Sequence, residues 1–415
     1  MHKVNFFSQL IAGSNIFVII NYDKIVTVET DRLMKLLVLK PCLIARSNGG
    51  EISLLERLRI FKSWGIDIQI RLALPSRSYS SPIAILDSFG TPLIDNAYEV
   101  DGLRCDVHFD KRFNPDQTFS FAALKEYFVS VLKSENPDLV WVHYTDFAAT
   151  AAALTWNPKK VWVNITDNEF PRQVDLNQFP ILEGTYLQIN SVTVASSFMQ
   201  KSVRADIPWA ESLLLPSPLE SLSEPPLDRK PTSWVFVNPV PVKGVHFAVE
   251  LAKRLPSEKF IFVGNWMCSP PETLPPNVTF VPRQKNLLSI FSEAKGILIP
   301  SFWDEAFGRI AIEAMAANVP VIGSDRGALP ETIGSGGLSL PLDIDRWVKV
   351  MNSPSSYFKE LSIRGLRRAK QYQNDRDIFY RALYLTLSQQ IGFKIDQLPK
   401  TKSFETFIDK DSIRF

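Results

Sequence analysis

The sequence predicts an α/β protein made of two successive strand-and-helix halves. Three observations carry that expectation. From Lys35 onward, short apolar runs alternate with amphipathic stretches; residues 216–231 interrupt them with five prolines; and the same alternation then restarts. Prolines fix φ and cannot continue a ladder, so 216–231 is read as an interdomain linker. A chain of 415 residues has room for two sizeable domains.

The elements follow in order. Leu10–Ile20 is apolar but broken by Gly13, Ser14 and Asn15, and too short to cross a bilayer. With only His2 and Lys3 as a basic start, residues 1–33 are expected to be an extension or a mis-called start, not a signal peptide. Leu36–Leu39 reads as a buried strand, followed by a loop holding Asn48-Gly49-Gly50, a helix over Glu51–Trp64 and a strand over Ile66–Leu72. Residues 75–118 show no clean period and are read as loops and small strands. Phe119–Lys133 reads as a helix, and Leu139–His143, Val161–Asn164, Ser191–Ala195 and Leu213–Leu215 as strands. Beyond the linker come a strand at Val235–Val237 and a helix over Val245–Leu255 with Val245, Ala248, Leu251, Ala252 and Leu255 on one face. Phe260–Val263, Val278–Val281, Ile297–Ile299 and Val319–Ile322 read as strands, Leu287–Ser292 and Gly308–Ala317 as helices, and Arg364–Gln389 as a final helix.

Composition removes several function classes. With 45% hydrophobic and 22% charged residues the chain is not disordered, and 46 Lys+Arg against 44 Asp+Glu leaves no basic excess for nucleic acid. No run approaches the roughly 20 apolar residues of a membrane-spanning helix. Cys42, Cys105 and Cys268 are too few and too dispersed for a disulfide framework, which fits a cytoplasmic protein. His2, His108, His143 and His246 stand alone, without metal-ligand spacing, so no metal is expected. Arg57, Arg59 and Lys62 beside Leu58, Phe61 and Trp64 would suit an anionic membrane, but packing on the sheet is the preferred use of that helix, with peripheral membrane contact as the second.

The segment from Pro300 to Met315 carries the chemistry. A strand ends at Pro300, a turn follows, and Gly308 opens a helix whose first N–H groups suit a phosphate. Glu313 sits among Ile310, Ala311, Ile312, Ala314 and Met315. A carboxylate there needs hydrogen-bond donors, which ribose hydroxyls would supply, unless it reaches solvent at the helix edge. Asp343-Ile344-Asp345 has the form of a metal motif but directly precedes a helical stretch, so Asp343 is read as an N-cap. Gly334-Ser335-Gly336-Gly337 lacks the strand-then-helix setting of a dinucleotide fingerprint. His143 is read as a packed or hydrogen-bonded histidine, not a base.

Glu305 and Glu313, spaced E-x7-E around Phe307-Gly308, resemble the signature of retaining group-1 glycosyltransferases of the GT-B fold. Pro320–Glu331 is similar to that family's next strand and Gly-rich sugar-facing loop, and Asn238–Gly244 to its phosphate-binding strand end. The likeness is strong over 232–345 and diffuse over 35–220. It implies two Rossmann-like domains facing across a cleft: an acceptor domain (34–218), the linker (219–231), a nucleotide-sugar donor domain (232–360), a C-terminal helix (361–392) packing back on the first domain, and a tail (393–415). It further implies retaining, metal-independent transfer of a hexosyl group from a nucleotide-diphosphate sugar, UDP-sugar foremost, with no other cofactor, to an unidentified carbohydrate, lipid or small-molecule acceptor.

By the same resemblance Glu305 binds donor-sugar hydroxyls, Lys243 neutralises the diphosphate, Glu313 holds the ribose, and the backbone of Phe307, Gly308 and Arg309 lines sugar and phosphate. Gly244 belongs to the phosphate-binding strand end, Gly49 and Gly50 to a loop facing donor phosphate and acceptor, or to an ordinary strand-to-helix turn. Arg283 lies near the base or is a surface arginine. Two positions depart from the family pattern: Asn238 stands where an arginine is usual, and Asn164 where many members have a histidine. Asparagine can donate a hydrogen bond but brings no charge. That departure keeps open a non-catalytic sugar-nucleotide-binding or partner protein, and a nucleotide-sugar epimerase is the third class.

Overall fold

The computed structural model describes residues 33–45, 49–75, 90–112, 119–166, 184–219, 229–264, 273–284 and 287–391. Asn48, Cys268 and the tail lie outside the described residues. The first sheet holds β1 (Lys35–Lys40), β2 (Asp67–Pro75), β3 (Thr91–Leu93), β4 (Ala97–Val100), β5 (Leu103–Asp110), β6 (Leu139–His143), β7 (Val161–Asn164), β8 (Ser191–Val194) and β9 (Glu211–Leu214). Their spatial order is β3-β4-β5-β2-β1-β6-β7-β8-β9. Among the described residues only the β3–β4 and β4–β5 pairs are antiparallel. Helices α1 (Gly49–Ser63), α2 (Phe119–Glu135), α3 (Phe147–Trp156) and α4 (Ser197–Asp206) cover its faces.

The period of two in β1 explains how both faces are buried. Leu37 and Leu39 join the cluster with Phe128 and Leu132 of α2 and Ala149 and Ala153 of α3. Leu36 and Val38 join Leu55, Leu58 and Phe61 of α1. Leu58, Phe61 and Trp64 are buried and Arg57 is only 3% exposed, so this helix packs on the sheet.

The second sheet holds β10 (Ser233–Val237), β11 (Lys259–Val263), β12 (Val278–Val281), β13 (Ala294–Ile299), β14 (Val321–Ser324) and β15 (Leu338–Leu340), in the order β12-β11-β10-β13-β14-β15. All its pairs are parallel. Around it lie α5 (Val245–Arg254), α6 (Leu288–Glu293), α7 (Arg309–Ala316), α8 (Leu329–Ile333) and α9 (Ile344–Met351). The apolar face expected for α5 packs with Trp234, Phe236 and Trp347. The last helix, α10 (Ser355–Ile391), begins nine residues before the expected start and ties the halves together. Its Ala369 and Tyr372 pack in the core of the second half, and Tyr380, Leu383, Tyr384 and Leu387 in that of the first.

The stretch without a clean period contains β3 to β5. Asp101 and Gly102, with φ of 53° and 74°, make the two-residue turn between β4 and β5. Such turns favour an Asp-Gly pair because both central residues need positive φ. Of the proline-rich segment, residues 216–219 are gripped by α10: Tyr380 Oη donates to the Pro216 carbonyl (2.9 Å) and Tyr372 Oη to that of Ser217 (2.6 Å).

Candidate functional site

Both sheets contain the same doubly wound order, in which ligands bind where the chain's direction of travel across the sheet reverses, outside the carboxyl ends of the strands. In the second sheet that point lies between β10 and β13. Asn238 follows β10, and Pro300 and Ser301 follow β13. Asn238 has a φ of 63°, a left-handed conformation asparagine tolerates better than arginine would. Gly244, at φ 89°, has no alternative: a Cβ there would lie 1.9 Å from the Pro300 carbonyl oxygen.

This tight junction brings Lys243 beside Glu305. Lys243 Nζ donates to Glu305 Oε1 at 2.7 Å, and Ser301 Oγ donates to the same oxygen at 2.9 Å. The backbone of Glu305 is held by the Gly-rich loop, because the Ala328 N–H donates to its carbonyl (2.7 Å). A Cβ on Gly327 (φ 60°) would stand 2.4 Å from Glu305 N, so only glycine permits the approach. The side chains are 28% and 13% exposed, leaving the pair reachable from solvent.

Gly308, at φ 83°, is the N-cap residue of α7. Phe307 is buried, its ring 5.3 Å from that of Tyr372, and its carbonyl accepts from Thr332 Oγ1 at 2.5 Å. Glu313 is neither stranded among apolar groups nor fully in solvent. Its side chain is 30% exposed, and Arg309 Nε donates to its Oε1 at 3.2 Å. Arg309 itself crosses to the first half. Nη1 donates to Glu56 Oε2 (2.8 Å), Ser53 Oγ (2.8 Å) and Ser217 Oγ (2.7 Å), and Nη2 to Glu56 Oε1 (3.2 Å). Gly49 and Gly50 form the first turn of α1, not a loop. A Cβ on Gly49 would touch Arg309 Cδ at 3.4 Å, so the N-termini of α1 and α7 meet between the two halves. A second bridge comes from Glu331, whose carboxylate accepts from the Ser197 and Phe198 N–H groups at the start of α4, both at 2.9 Å.

In the first sheet the matching point lies between β1 and β6, and a cavity of about 310 Å³ opens there. Lys40, Cys42, Glu51, His143, Asp146 and Asn164 line it with others. Lys40 Nζ lies 3.4 Å from Asp146 Oδ2, both side chains about nine-tenths buried. Asp146 occupies the N-cap position of α3 yet makes no capping bond, because its side chain faces the lysine. Burial pushes the Asp146 carboxyl up against the opposing Lys40 charge; burial likewise drags Lys40 down, but Asp146, by charge and hydrogen bond, together with Cys42 and Glu51, outweighs it and holds the ammonium up. Burial also pushes the Cys42 thiol up to about 11, leaving it a poor nucleophile. His143 shares hydrogen bonds with Thr145 Oγ1 (2.6 Å) and Thr166 Oγ1 (2.7 Å), and burial, aided by Lys40, pushes its pKa down to about 3. Asn164 Oδ1 accepts from Thr193 Oγ1 at 3.0 Å, which in turn accepts from Trp141 Nε1 at 3.1 Å.

Residues 226–353, which contain Lys243, Glu305 and Glu313, match the family model for glycosyl transferases group 1. That segment is similar to a group-1 glycosyltransferase domain. The chain is 28% identical over 144 residues to a D-inositol 3-phosphate glycosyltransferase of Mycolicibacterium paratuberculosis, covering 30% of this chain and 32% of that protein. It is 36% identical over 93 residues to an MMP alpha-(1->4)-mannosyltransferase of Mycolicibacterium hassiacum, covering 20% and 22%. The match therefore spans a third or less of these curated relatives' length. Solved structures extend the likeness to both halves. Sucrose-phosphate synthase from Thermosynechococcus elongatus superposes with a TM-score of 0.66 at 17% identity, covering 86% of this chain and 98% of that one. HepE from Anabaena, solved with UDP and glucose, superposes at 0.62 and 14% identity, covering 86% and 100%. The fold is GT-B, two Rossmann-like domains across a cleft.

Within the glycosyltransferase fold, Asp343 Oδ1 accepts from the Arg346 N–H at 3.0 Å and caps α9, and Asp345 pairs with Arg254. Arg283 follows the edge strand β12 and is half-buried, its pKa lowered by desolvation. Sequence reasoning did not single out Lys40, Asp146 or Glu56, and it offered the Arg309 charge only as an alternative to Lys243 at the diphosphate. Lys40 had a signal, as a charge at the end of the apolar run Leu36–Leu39; Glu56 sits beside Arg57 between Leu55 and Leu58, a pattern that does not set it apart. No helix among the described residues is long and apolar enough to cross a membrane.

Proposed function

We propose that the chain is a hexosyltransferase that moves a sugar from a nucleotide-diphosphate sugar to a hydroxyl-bearing acceptor, with retention at the anomeric carbon and without a metal. The observation that carries this reading is the junction of Lys243, Glu305 and the α7 N-terminus at the strand-order reversal of the second sheet. Lys243 and the helix N-terminus meet the diphosphate, Glu305 the donor sugar and Glu313 the ribose hydroxyls. UDP is the foremost nucleotide because HepE was solved with UDP and glucose. The acceptor enters from the cavity between β1 and β6.

The acceptor oxygen forms its bond to the anomeric carbon as the bond from that carbon to the diphosphate oxygen breaks. The proton passes from the acceptor hydroxyl to the departing diphosphate. The protein's part is then to position both substrates and to stabilise the charge growing on the leaving group. His143 fits a positioning role, since both its ring nitrogens are engaged by threonines.

The test is incubation with UDP- and GDP-sugars, with and without excess EDTA, reading nucleotide release and the anomeric configuration of the product. Transfer with retention, persisting in chelator, is expected. Loss in EDTA restored by Mn²⁺ or Mg²⁺ contradicts the metal-free reading, and an inverted product contradicts retention. Isomerised donor without acceptor identifies an epimerase; binding without turnover identifies a scaffold.

A further inference from the structure

We propose that Arg309 is a positioning residue that sets Glu313 at the nucleotide site only while the two domains are docked on Glu56, so that nucleotide binding and domain docking form one equilibrium. This rests on the assignment of Glu313 to the ribose. Three observations carry it. The guanidinium straddles the domains: its two terminal nitrogens fork onto both carboxylate oxygens of Glu56 in α1, and its Nε donates to Glu313 one turn along α7. A planar fork fixed at two points leaves its third donor, the Nε–H, one direction. The grip on α1 therefore determines how Arg309 holds the Glu313 carboxylate.

Burial makes the grip conditional on docking. The Glu56 side chain is 1% exposed and that of Arg309 12%, whereas Glu313 keeps 30% open to a ligand. Separating the domains would take the buried Glu56 carboxylate and the Arg309 guanidinium away from each other. The pair also sits on the crossing chain. Glu56 Oε2 accepts from the Leu219 N–H at 3.2 Å, and Arg309 holds Ser217 Oγ, so the segment that must flex for the domains to part is part of the same network. A nucleotide seated on Glu313 thus favours the docked arrangement, and undocking releases Glu313 from its orientation.

The experiment titrates UDP and, separately, GDP into wild type, Glu313→Ala, Glu56→Gln and the double variant Glu56→Gln/Arg309→Met, with thermal unfolding of each. Glu56 belongs to the other domain and is assigned no contact with the nucleotide, so an effect of Glu56→Gln on affinity must travel through Arg309. The double variant removes both buried charges at similar volume, which guards against a fold that fails through one unpaired charge. Expected are a loss of affinity of about tenfold in Glu56→Gln and in the double variant, and a double variant that unfolds close to wild type. The KM for donor should rise in Glu56→Gln while its kcat at saturating donor holds. Wild-type affinity in Glu56→Gln or in the double variant, beside a weakened Glu313→Ala, overturns the coupling and leaves the ribose assignment standing. No nucleotide binding by wild type, or wild-type affinity in Glu313→Ala, overturns that assignment and the coupling with it.

Discussion

In both halves the crevice opens where the strand order reverses: Lys40 and His143 end β1 and β6, while Asn238 and Pro300 follow β10 and β13. The charges placed there are handled differently. In the second half Lys243 and Glu305 pair within reach of solvent, on backbone shaped by Gly244 and Gly327. In the first half Lys40 and Asp146 pair out of solvent beneath a cavity. A part-exposed pair costs little to open and can exchange its partner for a ligand's charge. A buried pair is costly to break, so it holds the shape of the pocket instead.

The largest effect that would break this contrast is on stability. Asp146→Ala should leave the Lys40 ammonium buried without its carboxylate and cost roughly 3–5 kcal/mol in denaturant unfolding. Nucleotide affinity should be unchanged. A loss below about 1 kcal/mol would place the pair with ordinary surface ion pairs. Lys243→Ala should behave in the opposite way: kcat falls by about 10²–10³, as on removal of one preorganised oxyanion-stabilising group, and stability moves by no more than about 1 kcal/mol. If the rate barely changes, another cation meets the diphosphate.

The contrast also governs what the sequence discloses. The site of the second half is contiguous: Glu305, Phe307, Gly308 and Glu313 fall within one strand-turn-helix, and the face of α5 is written in Val245, Ala248, Leu251, Ala252 and Leu255. The cavity of the first half is assembled from strand ends about a hundred residues apart, Lys40 with His143 and Asp146. No spacing rule connects them. Helix α3, Phe147–Trp156, is buried on nearly every side, so it shows no amphipathic period. The Asp101-Gly102 turn was readable from its residue pair, but the short β4 (Ala97–Val100) that precedes it hides the alternation. Arg309 was legible as backbone at a helix start, whereas the reach of its side chain to Glu56 depends on how the domains meet.

A smaller effect sharpens the same comparison. The folded pKa of His143, about 3, lies below its ordinary value near 6.5. A depressed histidine contributes stability that is complete above its unfolded pKa and is lost as pH falls toward the folded one. Between pH 6.5 and 5 the loss should be about 1–2 kcal/mol, at roughly 1.4 kcal/mol per pH unit before allowance for the ring's partial exposure. His143→Asn should flatten that slope in unfolding experiments across this range. A slope equal to that of wild type would assign the acid sensitivity to other groups.

The central claim is that the exposed charges of the second half hold a nucleotide, and Glu313→Ala tests it most directly. Calorimetric titration of the nucleotide released in turnover should show affinity weakened by about 1–3 kcal/mol, the loss expected when a carboxylate's hydrogen bonds to ligand hydroxyls are removed. The unfolding transition of the variant should remain that of a folded protein. Wild-type affinity in a folded Glu313→Ala protein would contradict the account, because it would return Glu313 to a helix-edge carboxylate paired with Arg309 alone.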